Sequence, residues 1–141
     1  MDKMLLSKDL SNSFTAEITP MGKPRMTRSD SWRNRDCVNR YYSFKDELSL
    51  IFSQSGFELC PSISMFFYLP MPKSWSKKKK EAMNNSPHQQ KPDIDNLIKA
   101  VLDSLYKDDS HFYDVHGVKY WAETGRIIFV NRLSSDKNNG K

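Results

Sequence analysis

The chain concentrates its carboxylates in one short stretch that precedes residue 110. Five of them fall within seventeen residues of a chain whose net charge is +5, and they belong to Asp93, Asp95, Asp103, Asp108 and Asp109. Carboxylates brought close together repel one another and need shared protons, a nearby cation or a metal ion. A hard divalent cation binds several carboxylate oxygens at once, so this stretch is a candidate metal site.

The spacing of these acids predicts a helix that begins at Asp95. Pro92 favours an extended residue before it and cannot continue a helix. Asp93 and Asp95, two residues apart in extended chain, are then expected to point to the same side. From the next residue onward, apolar residues recur at intervals of three and four, which predicts an amphipathic helix over 96–107. Asp95 is the expected N-cap, and Lys99 and Asp103 follow it at steps of four along the polar face.

A purely structural arrangement fits the same spacing. In that arrangement Asp95 only caps the helix, and Asp108–Asp109 forms a turn. Lys99 and Asp103 then form a solvated ion pair. A calcium-binding loop fits less well, because a count of twelve from Asp93 has no glycine at its sixth position and ends on a serine.

The motif as a whole is more informative than the spacing alone. The run from Lys91 to Leu105, followed by Asp108-Asp109-Ser110, closely resembles the signature of the RusA family. These proteins are Holliday-junction resolvases and related endodeoxyribonucleases of bacteria and their phages. The resemblance covers most of the chain, from the loop at Gly22–Arg25 through the basic run after Trp75 to the last two predicted strands.

The resemblance implies a role for each residue that matches the motif. Asp93 and Asp95 are the expected magnesium ligands, and Lys99 is the expected lysine needed for cleavage. The third ligand is Asp109, the second residue of the Asp-Asp pair, with Asp108 as the fallback. Manganese is expected to substitute for magnesium. Three carboxylates hold one ion, or two ions if one aspartate bridges them, and the sequence leaves both arrangements open.

Lys99 and Asp103 each have two interpretations. Lys99 lies one helical turn beyond Asp95, where its ammonium either stabilises charge on the scissile phosphate or only reduces repulsion among the acids. Asp103 either orients Lys99 from behind the site or is an ordinary surface acid.

Basic segments flank the acidic stretch. Residues 21–40 carry six Lys or Arg against two Asp, and residues 73–80 carry five Lys and no acid. Such flanks attract nucleic-acid phosphates, although a lysine run is also typical of a solvated helix face. The candidate DNA-binding residues are Lys23, Arg25, Arg28, Arg33, Lys73, Lys77, Lys78, Lys79, Lys80, His88 and Lys119.

Three residues near these segments carry further expectations. Trp32 is expected either to pack half-buried or to stack on a base. His88 is expected to contact a phosphate or to be structural rather than to bind a metal ion. Lys119 is placed like a basic residue that the family carries after the Asp-Asp pair, which implies a DNA contact.

Hydrophobic periodicity predicts a small α+β domain with a mixed sheet of about four or five strands and two main helices. The expected strands are 14–19, 63–69, 115–121 and 126–130, with the last two joined as a hairpin. The expected helices are 41–55, which Gly56 ends, a short helix through Met83 capped by Ser74 or Ser76, and 96–107. The single nuclease domain is expected over 13–133, between a flexible segment at 1–12 and a disordered tail at 134–141.

Composition restricts the class of protein. A chain of 141 residues with 38% hydrophobic residues is expected to form one soluble domain with a modest core. It has no stretch typical of a membrane span or a signal peptide, so a cytoplasmic protein is expected. Cys37 and Cys60 are not spaced as zinc ligands.

The expected function is therefore magnesium-dependent cutting of Holliday junctions by a homodimer, as the family resemblance implies. A nuclease for other branched DNA, such as flaps or forks, is one alternative. A DNA-binding protein without catalysis is another, in which the basic segments bind and the acids are only structural.

Overall fold

The computed structural model describes residues 12–24 and 36–132. The predicted flexible segment at 1–12, except Asn12, and the predicted tail at 134–141 lie outside the described residues. Four candidate residues of the basic loop also lie outside them, namely Arg25, Arg28, Trp32 and Arg33.

Strand β2 (Ser62–Pro70) is an interior strand of the sheet. Its alternate residues Ile63, Met65 and Phe67 are fully buried, as expected of apolar side chains on the core-facing side of a strand. β2 pairs in parallel with β3 (Asp114–Ala122) and antiparallel with β4 (Arg126–Asn131). β1 (Ser13–Ala16) completes the sheet by antiparallel pairing with β4, so the strand order is β1-β4-β2-β3.

The predicted hairpin of the last two strands is wrong, because β2 lies between β3 and β4. Pairing with both neighbours satisfies the backbone groups on the two edges of this largely buried strand. The connection at 123–125 therefore crosses the end of β2. A Cβ added at Gly125 would lie 2.7 Å from the backbone Cα of Thr19, so this crossing has no room for a side chain.

Two helices form most of the core with the sheet: α1 (Asp36–Ser55) and α3 (Ile94–Leu105). α1 starts five residues before the predicted position and ends where expected, at Gly56, which has φ +75°. A third, short helix, α2 (Lys77–Met83), is capped by Ser76, whose Oγ accepts a hydrogen bond from the Lys79 amide at 3.1 Å. The predicted α+β class with a mixed sheet is confirmed, and the homodimer remains a prediction.

The core is continuous between the sheet and these two helices. Within the described ranges, no helix is long and apolar enough to cross a membrane. The fully buried side chains of largest volume in this core are Tyr41, Phe67, Phe129, Leu48, Ile63, Met65, Leu97, Ile127 and Val101.

The Asp114 carboxylate attaches the start of β3 to β2 through a hydrogen bond. Ser62 Oγ donates a hydrogen bond of 2.7 Å to Asp114 Oδ2, and His116 Nε2 lies 3.1 Å from Asp114 Oδ1. The hydrogen bond from Ser62 is the main reason why the pKa of Asp114 lies below its usual value. Because Ser62 and Asp114 are partners in the parallel ladder, this bond supports the register of the two strands.

Candidate active site

Helix α3 presents the two candidate acids of the motif at its N-terminal end. It begins at Ile94, and Asp93 is its N-cap residue in extended backbone, with φ −68° and ψ 148°. The Asp93 carbonyl accepts hydrogen bonds from the amides of Asn96 and Leu97, both at 3.1 Å. The prediction that Asp95 caps the helix is therefore wrong, because Asp95 already lies in the first turn.

Ile94 was the sequence signal for this earlier start. It lies three and four residues before Leu97 and Ile98, so it extends the apolar stripe by one turn. Gly117 of β3 lets Ile94 and Ile98 approach the sheet closely, since an added Cβ there would be 2.9 Å from Ile98 Cδ1. Burial of Ile94 against β3 explains why the helix includes it.

The side chains of Asp93 and Asp95 are exposed. Asp93 makes no capping hydrogen bond with its side chain, and its ion pair with Lys91 is long, at 3.7 Å. Lys91 is 88% exposed, and pairs this exposed contribute about 0–1 kcal/mol. The expectation that both acids project from extended chain is wrong, because Asp95 is helical. Both nevertheless lie at a helix N-terminus, where the helix dipole favours negative charge.

Lys99 and Asp103 continue along the polar side of α3. Lys99 Nζ lies 4.0 Å from Asp103 Oδ2, and the Lys99 side chain is 59% exposed. The same Asp103 oxygen accepts a 3.0 Å hydrogen bond from Lys23 Nζ. Asp103 therefore contacts two ammonium groups, one on its own helix and one on the loop after β1.

The loop that carries Lys23 is attached to α3 by a second hydrogen bond. Asn96 Nδ2 donates to the Lys23 carbonyl at 2.9 Å. A Cβ added at Gly22 would lie 2.9 Å from the same Asn96 nitrogen and 3.2 Å from Pro92 Cβ. A glycine is therefore needed for this close approach, and the loop lies beside the first turn of the acidic helix.

Tyr41 of α1 is a neighbour of Asp103. The periodicity of the sequence indicates Tyr41 only as a core residue. It is 1% exposed, and its hydroxyl has no hydrogen-bond partner among the described residues. Burial, and then the negative charge of Asp103, raise the pKa of Tyr41 to about 12. The phenol therefore stays neutral at physiological pH and adds no charge beneath the ion pairs of Asp103.

Asp103→Asn is expected to slow DNA cutting about 10- to 100-fold, because the neutral amide holds neither Lys99 nor Lys23 as strongly. Single-turnover cleavage rates measure this effect, and Asp46→Asn on the exposed side of α1 is the control. In the Asp103→Asn background, Lys23→Met is expected to slow cutting by a smaller factor than it does in the wild-type protein. Fully additive effects would contradict a shared contact.

Asp108 and Asp109 lie beyond the C-terminal end of α3. Asp108 Oδ1 accepts a 3.0 Å hydrogen bond from the amide of Ser110, and this bond is the main cause of the lowered pKa of Asp108. Asp109 uses its backbone carbonyl to accept a hydrogen bond from the Phe112 amide at 3.1 Å. The Asp108 side chain thus shapes a local turn, whereas the Asp109 carboxylate makes no hydrogen bond or ion pair with the described residues.

The length of α3 separates Asp109 from Asp93 and Asp95. Its twelve residues span about 18 Å at a rise of 1.5 Å each. The four chain steps from Leu105 to Asp109 cover at most about 13 Å at about 3.3 Å each, which is less than that length. Accordingly, no three His, Cys, Asp or Glu side chains of residues 12–24 and 36–132 form a group able to hold a metal ion.

Two candidate donors of one chain lie at the same helix end, and two carboxylates suit magnesium in its usual protein setting. Mg²⁺ keeps several waters and is commonly bound by one or two carboxylates together with substrate phosphates. Asp93 and Asp95 are two exposed carboxylates at one helix end, and within the described part of the chain neither has a strong competing partner. They are the residues of this chain that would hold the ion.

The short helix α2 forms a basic surface. Lys77, Lys78 and Lys79 are exposed and Lys80 is half-buried, as expected of a helix without buried residues. Lys79 Nζ lies 4.3 Å from the centre of the Trp75 ring, which is a cation–π geometry. Trp75 in turn packs on Trp121 of β3, with ring centres 4.8 Å apart, and so attaches the basic segment to the sheet. The candidate Lys73 is also exposed.

His88 and Lys119 lie between this basic surface and Asp93. His88 is 4% exposed and packs on Trp121 at 4.1 Å between ring centres, so it occupies a structural position. Burial first, and then the charge of Lys119, lower the pKa of His88. Lys119 Nζ donates hydrogen bonds to the carbonyls of Gln90 and Pro92, at 2.6 and 2.7 Å.

Comparison with known proteins identifies the family of the chain. The family model described as "Endodeoxyribonuclease RusA" matches residues 16–130, from the end of β1 into β4. A Bacillus subtilis (strain 168) protein named "Uncharacterized protein YqaN" is 36% identical over 133 residues, which covers 84% of this chain and 93% of that protein. The predicted resemblance is confirmed, and the chain belongs to the RusA family of endodeoxyribonucleases.

Proposed function

We propose that this protein is a magnesium-dependent endonuclease that cuts Holliday junctions in the bacterial cytoplasm. The observation that carries the proposal is the match to the family over residues 16–130, with the motif acids Asp93 and Asp95 exposed at one helix end. Lys99 lies one turn further along the same helix. The chain thus carries anionic ligands for a cation beside a cationic group for the phosphate.

The proposed chemistry is hydrolysis of a phosphodiester by water in line with the leaving oxygen. When bound, a divalent ion polarises the phosphoryl oxygens and lowers the pKa of a coordinated water. Asp93 and Asp95 would hold that ion, and Lys99 would stabilise negative charge that develops on the phosphate. Asp103 lies one turn beyond Lys99, with the Lys99 ammonium at the long limit of an ion pair, 4.0 Å from its carboxylate.

The third ligand of the proposal, Asp109, requires a second copy of the chain. The length of α3 keeps Asp109 away from the two acids of its own chain. In the homodimer that the family resemblance implies, Asp109 of one copy completes the site that Asp93 and Asp95 of the other copy begin. A two-fold dimer of this kind carries two such sites, which suits a four-way junction cut on two opposed strands.

DNA binding is proposed to depend on the basic segments rather than on base readout. The lysines of α2 follow Trp75, whose ring packs against Trp121 of the sheet, and they are accessible to a phosphate backbone. Contacts of this kind fix position without reading sequence, so branch geometry would determine selectivity.

Replacing Lys77, Lys78, Lys79 and Lys80 together by Gln is expected to weaken junction binding about 10- to 100-fold at moderate salt. Gln keeps a similar helix propensity, so α2 is retained. The slope of log Kd against log salt concentration is also expected to fall, by about 0.9 for each phosphate that the variant no longer neutralises. Lys45→Gln with Lys107→Gln is the control for two of the four charges removed, and an unchanged slope would remove α2 from the DNA surface.

The experiment that tests the proposed function is a magnesium titration with synthetic DNA. A four-way junction, a flap, a fork and a linear duplex are each scored separately for binding and for cutting. Magnesium-dependent paired cuts in the junction support the proposal. Preferential cutting of flaps or forks would identify a nuclease for other branched DNA, and binding without cutting at any magnesium concentration would identify a non-catalytic DNA-binding protein.

A further inference from the structure

We infer that Lys119 is a positioning residue that holds the chain segment leading into Asp93, and that it does not act as a DNA contact. The inference rests on the proposed function, because it concerns the placement of a proposed metal ligand. It replaces the expectation that Lys119 binds a phosphate.

The hydrogen bonds of Lys119 carry the inference. Its ammonium donates to the Gln90 carbonyl at 2.6 Å and to the Pro92 carbonyl at 2.7 Å. An ammonium has three N–H groups, so two of them are used within the protein. Pro92 directly precedes Asp93, and its carbonyl therefore fixes the backbone from which the Asp93 side chain extends.

The position of Lys119 on β3 explains how it reaches this segment. Alternate residues of a strand lie on one face, so Lys119 shares a face with Gly117 and Trp121. Gly117 contacts α3, and Trp121 is 5% exposed, so this face is turned toward the helix layer. A lysine on a face that is otherwise apolar requires acceptors close by, and the two carbonyls before α3 supply them.

The segment before Pro92 is also paired with the outer edge of β3. The Asn85 amide donates to the Trp121 carbonyl at 2.8 Å, the Trp121 amide donates to the Ser86 carbonyl at 3.0 Å, and the His88 amide donates to the Lys119 carbonyl at 3.0 Å. This backbone pairing ends at His88. The Lys119 side chain continues the attachment to Gln90 and Pro92, where backbone pairing no longer reaches.

His88 and the half-buried Lys119 are neighbours, and the Lys119 charge acts on the imidazole. The imidazole packs on Trp121 and is 4% exposed, and its pKa is lowered by burial and by the Lys119 charge. The two side chains line one cleft of about 610 Å³ that also includes Gln90 and Asp93, which places Lys119 beside the proposed ligand.

Lys119→Met tests the inference, since it keeps the aliphatic stem and removes both hydrogen bonds. Single-turnover cutting of a four-way junction is expected to slow about 10- to 100-fold, as for a displaced catalytic group. The dissociation constant for Mn²⁺ of the DNA-free protein is expected to rise about tenfold, because Asp93 is no longer held. Junction affinity without divalent metal and its salt dependence are expected to stay unchanged.

Two variants make the outcome decisive. Lys107 is exposed, and Lys107→Met removes one positive charge at a different position from Lys119. This variant is expected to match wild type in all three measurements. Lys119→Arg keeps the cation, but its larger guanidinium displaces the Pro92 carbonyl. It is expected to lower Mn²⁺ affinity and cutting rate with unchanged junction affinity, and it provides the test if Lys119→Met does not fold.

Three results would overturn the inference. Weaker junction binding and a salt slope lower by about 1, at an unchanged maximal rate, would make Lys119 a phosphate contact. Wild-type Mn²⁺ affinity and a wild-type cutting rate in Lys119→Met would exclude a positioning role. If Lys119→Met does not fold, a wild-type Mn²⁺ affinity and cutting rate in Lys119→Arg would exclude it instead. If wild-type protein cuts no DNA, the proposed function fails, whereas Mn²⁺ binding to the DNA-free protein still tests Lys119.

Discussion

Asp93→Asn and Asp95→Asn are each expected to lower the rate of junction cutting by about 10³-fold or more, while junction binding stays within about twofold of wild type. Asn has nearly the same shape as Asp and lacks the negative charge that holds a divalent ion. Neither carboxylate makes a strong contact with residues 12–24 or 36–132, so the fold is expected to be unaffected.

The measurements are single-turnover cutting with magnesium, junction binding without it, and Mn²⁺ binding to the free protein. Asp36→Asn is a matched control, because Asp36 is also an exposed aspartate at a helix N-terminus but lies in α1. Normal cutting by Asp93→Asn or Asp95→Asn would show that the substituted residue is not a ligand. A parallel loss of junction binding would instead indicate a role in the DNA surface.

Asp109→Asn is expected to abolish cutting to a similar extent, and Asp108→Asn is expected to retain it. The two residues are adjacent, but Asp108 is engaged by the Ser110 amide and Asp109 has its carboxylate available. The pair therefore forms a close internal control. Loss of cutting in Asp108→Asn alone would exchange the two assignments.

Mixed dimers test whether Asp109 acts on the site of the second copy. Suppose that Asp109 of one copy acts in the site of the other copy. Dimers of coexpressed Asp95→Asn and Asp109→Asn chains then have one site with both substitutions and one site with neither. Such dimers are expected to nick one strand of the junction. Mixed Asp93→Asn and Asp95→Asn dimers are the control and are expected to stay inactive, because each site then lacks one ligand. Inactivity of the first mixture would assign Asp109 to the site of its own chain.

Local sequence patterns predicted the elements well. The apolar stripe of α3, the alternation in β2 and the stop at Gly56 all appear in the structure, because each depends on neighbours within a few residues. The errors at this level were small. The predicted start of α3 is two residues late, because Ile94 also belongs to the stripe that packs against Gly117.

The motif was sufficient to indicate the family and to identify the candidate acids, because a long specific run such as Lys91–Leu105 carries its own evidence. Tertiary structure decided what those residues contact. It placed β2 between β3 and β4, paired Lys23 with Asp103, and turned Lys119 toward two carbonyls. These contacts join residues far apart in sequence, and the sheet order that creates them is set by burial of the whole core rather than by any local pattern.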